Sequence, residues 1–387
     1  MIWTALKWII LVGPALPFLY YLLAIYSARR FFRTAPPPNN DFTPPVSILK
    51  PVRGLDTDAY NNFSSFCRLD YPDYEILFCV ADDADPAIPV IEKLKADFPQ
   101  RQIRLLIGVV AIGANAKVNK LCRLAREAQH DLLVMSDSDI VVAPNYLRAV
   151  VAPFRDARVG AVTCMYLGLT APGLGPELEA IGATSDFFAA VIVARQLRGV
   201  DFGLGATIAT TRRHLAEVGG FEAFADYLAD DYELCHRIAK RGHRVELIPH
   251  AVHTHYPPEN FSEFFAHQLR WSLAFRASRL DGYLGMVFMQ GLPWSVAAAF
   301  YACAMGNGLL AASYVAAYLV PRCLLAWEMG VRGFKDPLIR RKWWLVPLRD
   351  LAWFVVWLAG LFRNRLIWRG TKFRLKRGRL MPLNPKT

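Results

Sequence analysis

Hydrophobic and polar positions divide this chain into three regimes. Residues Ile2–Tyr26 are almost wholly apolar, with Lys7 as the only charge. At about 1.5 Å per residue the run is long enough to cross a hydrocarbon core of about 30 Å. From Val46 the pattern becomes short apolar runs alternating with amphipathic stretches. Val46–Leu49, Glu75–Val80, Ile103–Ile107 and Leu132–Met135 predict strands, with helices near Ala59–Leu69, Ile88–Asp97 and Lys117–Glu127 between them. Such alternation predicts an α/β domain with a mostly parallel sheet covered on both faces. Val159–Thr163 and Ala206–Thr210 are candidate further strands, and Tyr232–Arg241 a helix stopped by Gly242. There is no GxGxxG after the first strand, which argues against a dinucleotide-binding oxidoreductase.

The third regime is apolar again. Tyr283–Met305 and Leu309–Trp327 predict a membrane hairpin turning at Gly306-Asn307-Gly308, and residues 345–362 form another apolar run that includes Arg349 and Asp350. The expected organisation is an anchor over 1–28, a linker over 29–45 that is rich in proline from Ala35, and the α/β domain over 46–280. A transmembrane hairpin follows over 281–330, then a basic loop over 331–344, an interfacial or re-entrant segment over 345–362 and a basic tail over 363–387. A full crossing by 345–362 would put the tail outside, against the positive-inside rule. The first run is too long for a signal peptide, barely basic at its start and without a small-residue cleavage site, so it predicts a permanent anchor. Arg29, Arg30 and Arg33 follow it and place the α/β domain in the cytoplasm, on an inner, multi-pass membrane protein.

Hydrophobic content of 54% and a net charge of +12 fit this picture. The charge is concentrated at the end: no acidic residue follows Asp350, whereas Arg363, Arg365, Arg369, Lys372, Arg374, Lys376, Arg377 and Arg379 do. Beside apolar segments such a cluster suits anionic lipid headgroups, and no nucleic-acid motif accompanies it, so nucleic acid is not an expected partner. The seven cysteines are odd in number and lack a CxxC pair, which fits reduced thiols rather than a disulfide framework or a zinc site.

Four polar clusters fall at strand ends or in loops. Asp137 and Asp139 follow the Leu132–Met135 strand directly, where ligands of open α/β sheets bind, and carboxylates two apart can share a hard divalent cation. A solvated turn is the simpler alternative for so short a pattern. An EF-hand is excluded, because Ile140, Val141 and Val142 stand where oxygen ligands and a glycine would be required. Asp82, after the Glu75–Val80 strand, can accept the N–H of a nucleotide base or merely cap the next helix. In Gly113–Lys120, Lys117 and Asn119 open a helix whose start can bind a diphosphate, although an ordinary helix start looks similar. Asp230 and Asp231 begin the Tyr232–Arg241 helix, where acids favour the dipole, and one of them can serve as a general base. His253 and His255 share one face of an extended segment, so His255 is a candidate additional metal ligand beside the plainer reading of a surface pair. Ser262–Arg276 carries aromatic residues among arginines and suits either the bilayer interface or a packed core.

With these clusters in view, the chain resembles the GT-A glycosyltransferases, and within them the membrane-bound ceramide glucosyltransferases and related bacterial hopanoid-biosynthesis glycosyltransferases. The resemblance lies in SILKPVRGLD (47–56), CVADDADPAI (79–88), GANAKVNKL (113–121), SDSDI (136–140), ADDYELCHRIAKRG (229–242) and HQLRW (267–271), in that order. It implies a GT-A, Rossmann-like cytoplasmic domain between N- and C-terminal transmembrane helices. It further implies that Asp82 contacts the uracil of a UDP-sugar, that Asp137 and Asp139 serve the diphosphate through Mg²⁺ or Mn²⁺, and that Asp231 is the catalytic base. Arg270 and Trp271 would close the site over pyrophosphate and acceptor. His267 departs from the glutamine or arginine usual at its position, and its imidazole can donate to a phosphate oxygen.

The activity implied is inverting transfer of glucose or N-acetylglucosamine from a UDP-sugar to the hydroxyl of a membrane lipid, a ceramide-type or hopanoid acceptor. A processive polysaccharide synthase of the same fold is disfavoured by the few predicted spans. An inactive nucleotide-sugar-binding scaffold at the membrane is disfavoured by the retained acidic residues.

Overall fold

The computed structural model describes residues 2–34, 41–257, 260–368 and 371–383, with side chains from Lys7 onward, so residues 35–40 of the linker and Arg369 lie outside it. The chain divides into two compact units. One comprises residues 35–169, 199–257 and 365–387, the other 1–34, 170–198 and 258–364.

The first unit is built on eleven strands: β1 (Val46–Pro51), β2 (Tyr74–Val80), β3 (Gln102–Ile107), β4 (Leu132–Met135), β5 (Ile140–Val141), β6 (Val159–Thr170), β7 (Ile208–Thr211), β8 (Arg244–Tyr256), β9 (Arg365–Trp368), β10 (Thr371–Lys376) and β11 (Arg379–Pro382). Strands β1 to β8 form one sheet in the order β3-β2-β1-β4-β7-β6-β8-β5. The β3-β2-β1-β4 half is parallel, and β7 turns antiparallel against β4. All residues of β1, β2 and β4 are buried, as expected of strands covered on both faces. Leu49, Leu77 and Leu133 pack with Val118 and Leu121 of the Ala116–Glu127 helix and with Leu234 and Ile238 of the Asp230–Lys240 helix. This apolar layer holds the carboxyl ends of β1, β2 and β4 at one edge of the sheet.

The fold is therefore the mixed α/β architecture expected, with a strand content the sequence pattern understates. The 13-residue β8 is polar enough at His250, His253 and His255 to hide its alternation. The presumed basic tail is also structured. Strands β9, β10 and β11 form an antiparallel meander in which Leu366, Phe373, Leu375 and Leu380 are buried while the intervening Arg365, Lys372, Arg374, Lys376 and Arg379 are exposed. Period-two alternation in so basic a segment is easily taken for a solvated tail. The meander attaches to the sheet unit through Leu228 N–H to Gly378 O (3.0 Å) and Leu380 N–H to Asp226 O (2.7 Å).

The second unit is helical. Among the described residues, Lys7–Phe32, Leu280–Ala304, Gly308–Gly333 and Pro337–Phe362 are long and apolar enough to cross a membrane. Helix Leu174–Gly182 and a second helix, Phe188–Arg198, also belong here, as does Phe261–Ser278, so the sheet domain is not the continuous 46–280 block expected. The reason is packing. Phe261–Ser278, started by an Asn260/Glu263 capping box, buries Phe264, Gln268, Leu269, Ser272 and Leu273 beside Leu174–Gly182 and Val346–Phe362. Of the two readings of this segment, the packed-core one describes it. The charges in the last apolar run are partnered: Arg322 meets Asp350 through two 2.8 Å bonds, and Arg349 donates to Gln268 Oε1 at 3.1 Å. The Arg322–Asp350 pair thus does not count against burial in a bilayer, whereas Nε and Nη1 of Arg349 are buried without a hydrogen-bond partner among the described residues.

Candidate active site

Each expected acidic residue of the sheet unit follows a short polar turn off a buried strand or opens a helix. Asn115 caps the Ala116–Glu127 helix, its Oδ1 accepting the N–H groups of Lys117 (3.0 Å) and Val118 (3.2 Å). Its Nδ2 donates to Tyr227 O (2.8 Å) and Asp230 Oδ1 (3.3 Å), tying this helix start to the start of the Asp230–Lys240 helix. Lys117 thereby reaches Asp137 Oδ1 at 2.7 Å and Asp230 Oδ2 at 3.5 Å. Gly205 shows how closely the groups meet. A Cβ built there would lie 3.1 Å from Asp231 Oδ2, 3.5 Å from Asp137 Oδ2 and 3.6 Å from Lys117 Nζ. Residues more than a hundred positions apart thus surround one point at the carboxyl edge of the parallel strands.

The Asp137/Asp139 turn is braced from below. Lys50, at the end of β1, donates to Asp137 O at 2.6 Å and to Ser136 Oγ at 3.4 Å, and lies over the Phe66 ring. Ser138 Oγ donates to Asp56, and Thr254 Oγ1 to Asp139 Oδ2 at 2.9 Å. Burial, reinforced by Asp137 and Asp56, pushes the Asp139 carboxyl up to about 6. Burial likewise raises Asp231 to about 6, with Asp230 adding to the effect and Lys117 opposing it. Lys50 is lowered to about 7 by burial, although Asp139, Asp137 and Asp56 favour its charge. For Lys117 burial also disfavours the cation, but Asp137, Asp230 and Asp231 outweigh it and raise the ammonium above its ordinary value.

Lys50, Asp56 and Gly205 belong to this arrangement without having been singled out, and Asp230 joins it beside Asp231. The signal for Lys50 was present, since a lysine inside an otherwise apolar strand needs a partner. Asp82 is exposed beyond β2, where its Oδ1 accepts Ala84 N–H at 3.1 Å. Two strand spacings separate β2 from β4, about 10 Å.

Two expected contacts fit the geometry poorly. Asn119 Oδ1 accepts the N–H groups of Ile112 (3.1 Å) and Gly113 (3.0 Å) while Nδ2 donates to Gly113 O (2.9 Å), so its amide is spent on pinning the loop rather than on a donor. His255 is adjacent to Thr254, and strand alternation turns it to the opposite face of β8 from the one that meets Asp139. Among the described residues no three His, Cys, Asp or Glu side chains are gathered to hold a metal by themselves. Two carboxylates with the remaining positions supplied by water and phosphate is nonetheless an ordinary Mg²⁺ environment. The crowded, hard-oxygen pair Asp137/Asp139 fits such an ion.

In the helical unit, Arg270 and Trp271 lie on Phe261–Ser278, half-buried and exposed respectively. His267 does not present a spare ring nitrogen to a phosphate. Its Nδ1 meets buried Glu179 (3.0 Å to Oε1, 3.1 Å to Oε2), and its Nε2 accepts the Trp271 indole N–H at 3.1 Å.

Comparison with known proteins agrees with the fold. Ceramide glucosyltransferase 1 of Caenorhabditis elegans is 28% identical over 256 residues, covering 66% of this chain and 54% of that protein. A ceramide glucosyltransferase of Gibberella zeae is 33% identical over 155 residues, 37% of this chain and 29% of its own. The chain thus spans about half the length of the first of these relatives. Among solved structures, the mannosyltransferase PcManGT from Pyrobaculum calidifontis, in complex with GDP-Man and Mn²⁺, superposes with a TM-score of 0.57 at 19% identity, over 91% of this chain and 99% of that one, and shares the fold. The model of glycosyl transferase family 21 matches residues 9–381, nearly the whole length, and the chain belongs to that family.

Proposed function

We propose that this protein is an inverting membrane glycosyltransferase that moves glucose or N-acetylglucosamine from a UDP-sugar to a hydroxyl of a ceramide-type or hopanoid lipid. The observation that carries the reading is the meeting of Lys117, Asp137 and Asp231 around Gly205. Asp231, with its carboxyl raised toward neutrality, is suited to take the acceptor hydroxyl proton as that oxygen attacks the anomeric carbon and the bond to UDP breaks. Lys117 supplies a fixed positive charge for the departing diphosphate. Lys50 holds the Asp137 backbone in place, and Asp82 recognises the base. A Mg²⁺ or Mn²⁺ ion held by Asp137 and Asp139 would neutralise diphosphate charge as a Lewis acid. The names of the relatives support a glucosyl group and a ceramide acceptor.

The test is purified protein in detergent with Mg²⁺ or Mn²⁺, a panel of UDP-sugars and lipid acceptors, read by mass spectrometry. One hexosyl or N-acetylhexosaminyl addition per lipid is the expected result. A polymeric product would replace the reading with that of a synthase, and absence of any transfer with retained donor binding would leave a scaffold.

The catalytic unit faces the cytoplasm of an inner membrane in this reading, supported by Arg29, Arg30 and Arg33 after the first span. Chain continuity constrains the rest. The meander β9–β11 bonds to Asp226 and Leu228 of the sheet unit, which supports a chain that leaves and returns on one side between Asn260 and Arg365. Three complete crossings would strand the meander on the other face. An even number of crossings fits this attachment, in keeping with a hairpin of Leu280–Ala304 and Gly308–Gly333 and an interfacial or re-entrant 345–362. The exposed cations of the meander then face anionic lipid headgroups. Labelling of a cysteine placed at exposed Met381 by an impermeant reagent in intact cells would overturn this topology.

A further inference from the structure

We propose that Glu179 is a positioning residue that selects one tautomer of His267 and through it fixes the Trp271 indole; its bearing on sugar transfer rests on the reading above. Indole N–H can only donate, so the 3.1 Å bond from Trp271 Nε1 requires a lone pair on His267 Nε2. A neutral imidazole then carries its proton on Nδ1, which lies 3.0 and 3.1 Å from the two oxygens of Glu179. A carboxylate accepts and does not donate, so it favours the Nδ1–H form. The three side chains make one directional chain from indole to imidazole to carboxylate.

Its geometry is set by elements of the helical unit. His267 and Trp271 are one helical turn apart on Phe261–Ser278 and so share a face. Glu179 lies on Leu174–Gly182 with only 4% of its surface exposed, and a carboxylate at such depth needs the partner it finds. Phe187 meets the Trp271 ring edge-on at 6.2 Å, limiting its other side. Next to His267, Gln268 receives the 3.1 Å bond from buried Arg349, so the neighbouring position is tied down separately. Trp271, by contrast, has 37% of its surface exposed. A buried acid thus orients an exposed ring through an intermediate side chain, the way an outer residue orients a metal-ligating histidine.

The decisive measurement uses the intact protein in detergent, labelled with ¹⁵N-histidine, with His267→Gln to assign the signal. In the wild type His267 should show an unprotonated Nε2 and a protonated Nδ1 at neutral pH; a protonated Nε2 overturns the proposal. Glu179→Met, which keeps volume and removes the acceptor, should mix the tautomers and lower turnover about 10-fold or more, with UDP-sugar binding unchanged. Glu179→Gln keeps a carbonyl acceptor for Nδ1–H and should retain most activity. His267→Gln should do the same, since one amide can accept from Trp271 and donate to Glu179.

In a His267→Ala background, Glu179→Met should add no further loss. A full additional loss there would mean that Glu179 acts by another route and overturns the chain. Unchanged turnover and tautomer in Glu179→Met would do so as well. If the wild type transfers no sugar to any lipid, the functional reading fails, while the ¹⁵N spectrum still decides whether the chain exists.

Discussion

Asp231→Asn should make the protein more stable and nearly inactive at once. Burial and Asp230 raise the Asp231 carboxyl from 3.8 to about 6, so holding it ionised in the folded state costs roughly 3 kcal/mol at about 1.4 kcal/mol per unit. Partial exposure and Lys117 nearby make about 1 to 3 kcal/mol a realistic gain when the charge is removed. In a chain this size that is a rise in Tm of about 1 to 4 °C. The sign follows from linkage. An acid whose folded pKa is raised binds its proton more tightly when folded, so its contribution to stability grows as pH falls through 6 and is lost as pH rises. Wild-type Tm, measured in detergent without metal or donor, should therefore climb between pH 7.5 and 5. Asp231→Asn should start higher and climb less, with Asp139 still contributing in the same direction. Turnover should fall about 10²-fold or more with UDP binding retained, and wild-type kcat/KM should decline below pH of about 6. An asparagine variant that is less stable would refute the burial argument, and one that turns over normally would refute the base role.

Lys50→Met should destabilise the protein by about 2 to 4 kcal/mol, because it removes the cation beneath two crowded carboxylates and frees the Asp137 turn; denaturant melts and UDP-sugar titrations should both register it. Gly205→Val should leave Tm within a few degrees yet abolish measurable donor binding, since even its Cβ would stand 3.1 Å from Asp231 Oδ2. Arg322→Met should cost about 3 to 5 kcal/mol by leaving Asp350 buried without its cation, and pairing it with Asp350→Leu should recover much of the loss in a thermal melt. Asp139→Ala should weaken metal-dependent donor binding while raising the Tm of the metal-free protein, measured by titration and by melt.

How much was legible beforehand depends on the range of the interactions involved. Leu132–Met135 and the Asp137/Asp139 turn behind it were readable because a four-residue apolar run followed abruptly by acids is a local signal. So was the Asn115-capped helix start that carries Lys117. Lys50 was visible as a residue, but its work was not, because its partners lie 86 and 87 positions away. Asn119 and His255 were sensible candidates by type, and only the hydrogen bonds of the first and the strand face of the second redirect them. The meander was missed because alternation among so many arginines and lysines resembles a solvated tail, and its buried face exists only once Leu366, Phe373, Leu375 and Leu380 have something to cover.

By itself the sequence determined the parallel strands, the apolar helices, the order of the acidic motifs and the family they point to, since periodicity and short motifs are properties of neighbouring residues. Tertiary structure alone decided that Asp137, Asp231 and Lys117 meet at Gly205, that the helices at 174–198 and 261–278 belong with the membrane helices, and that Glu179 governs His267. Each of those depends on contacts between residues distant in the chain, which no local pattern encodes.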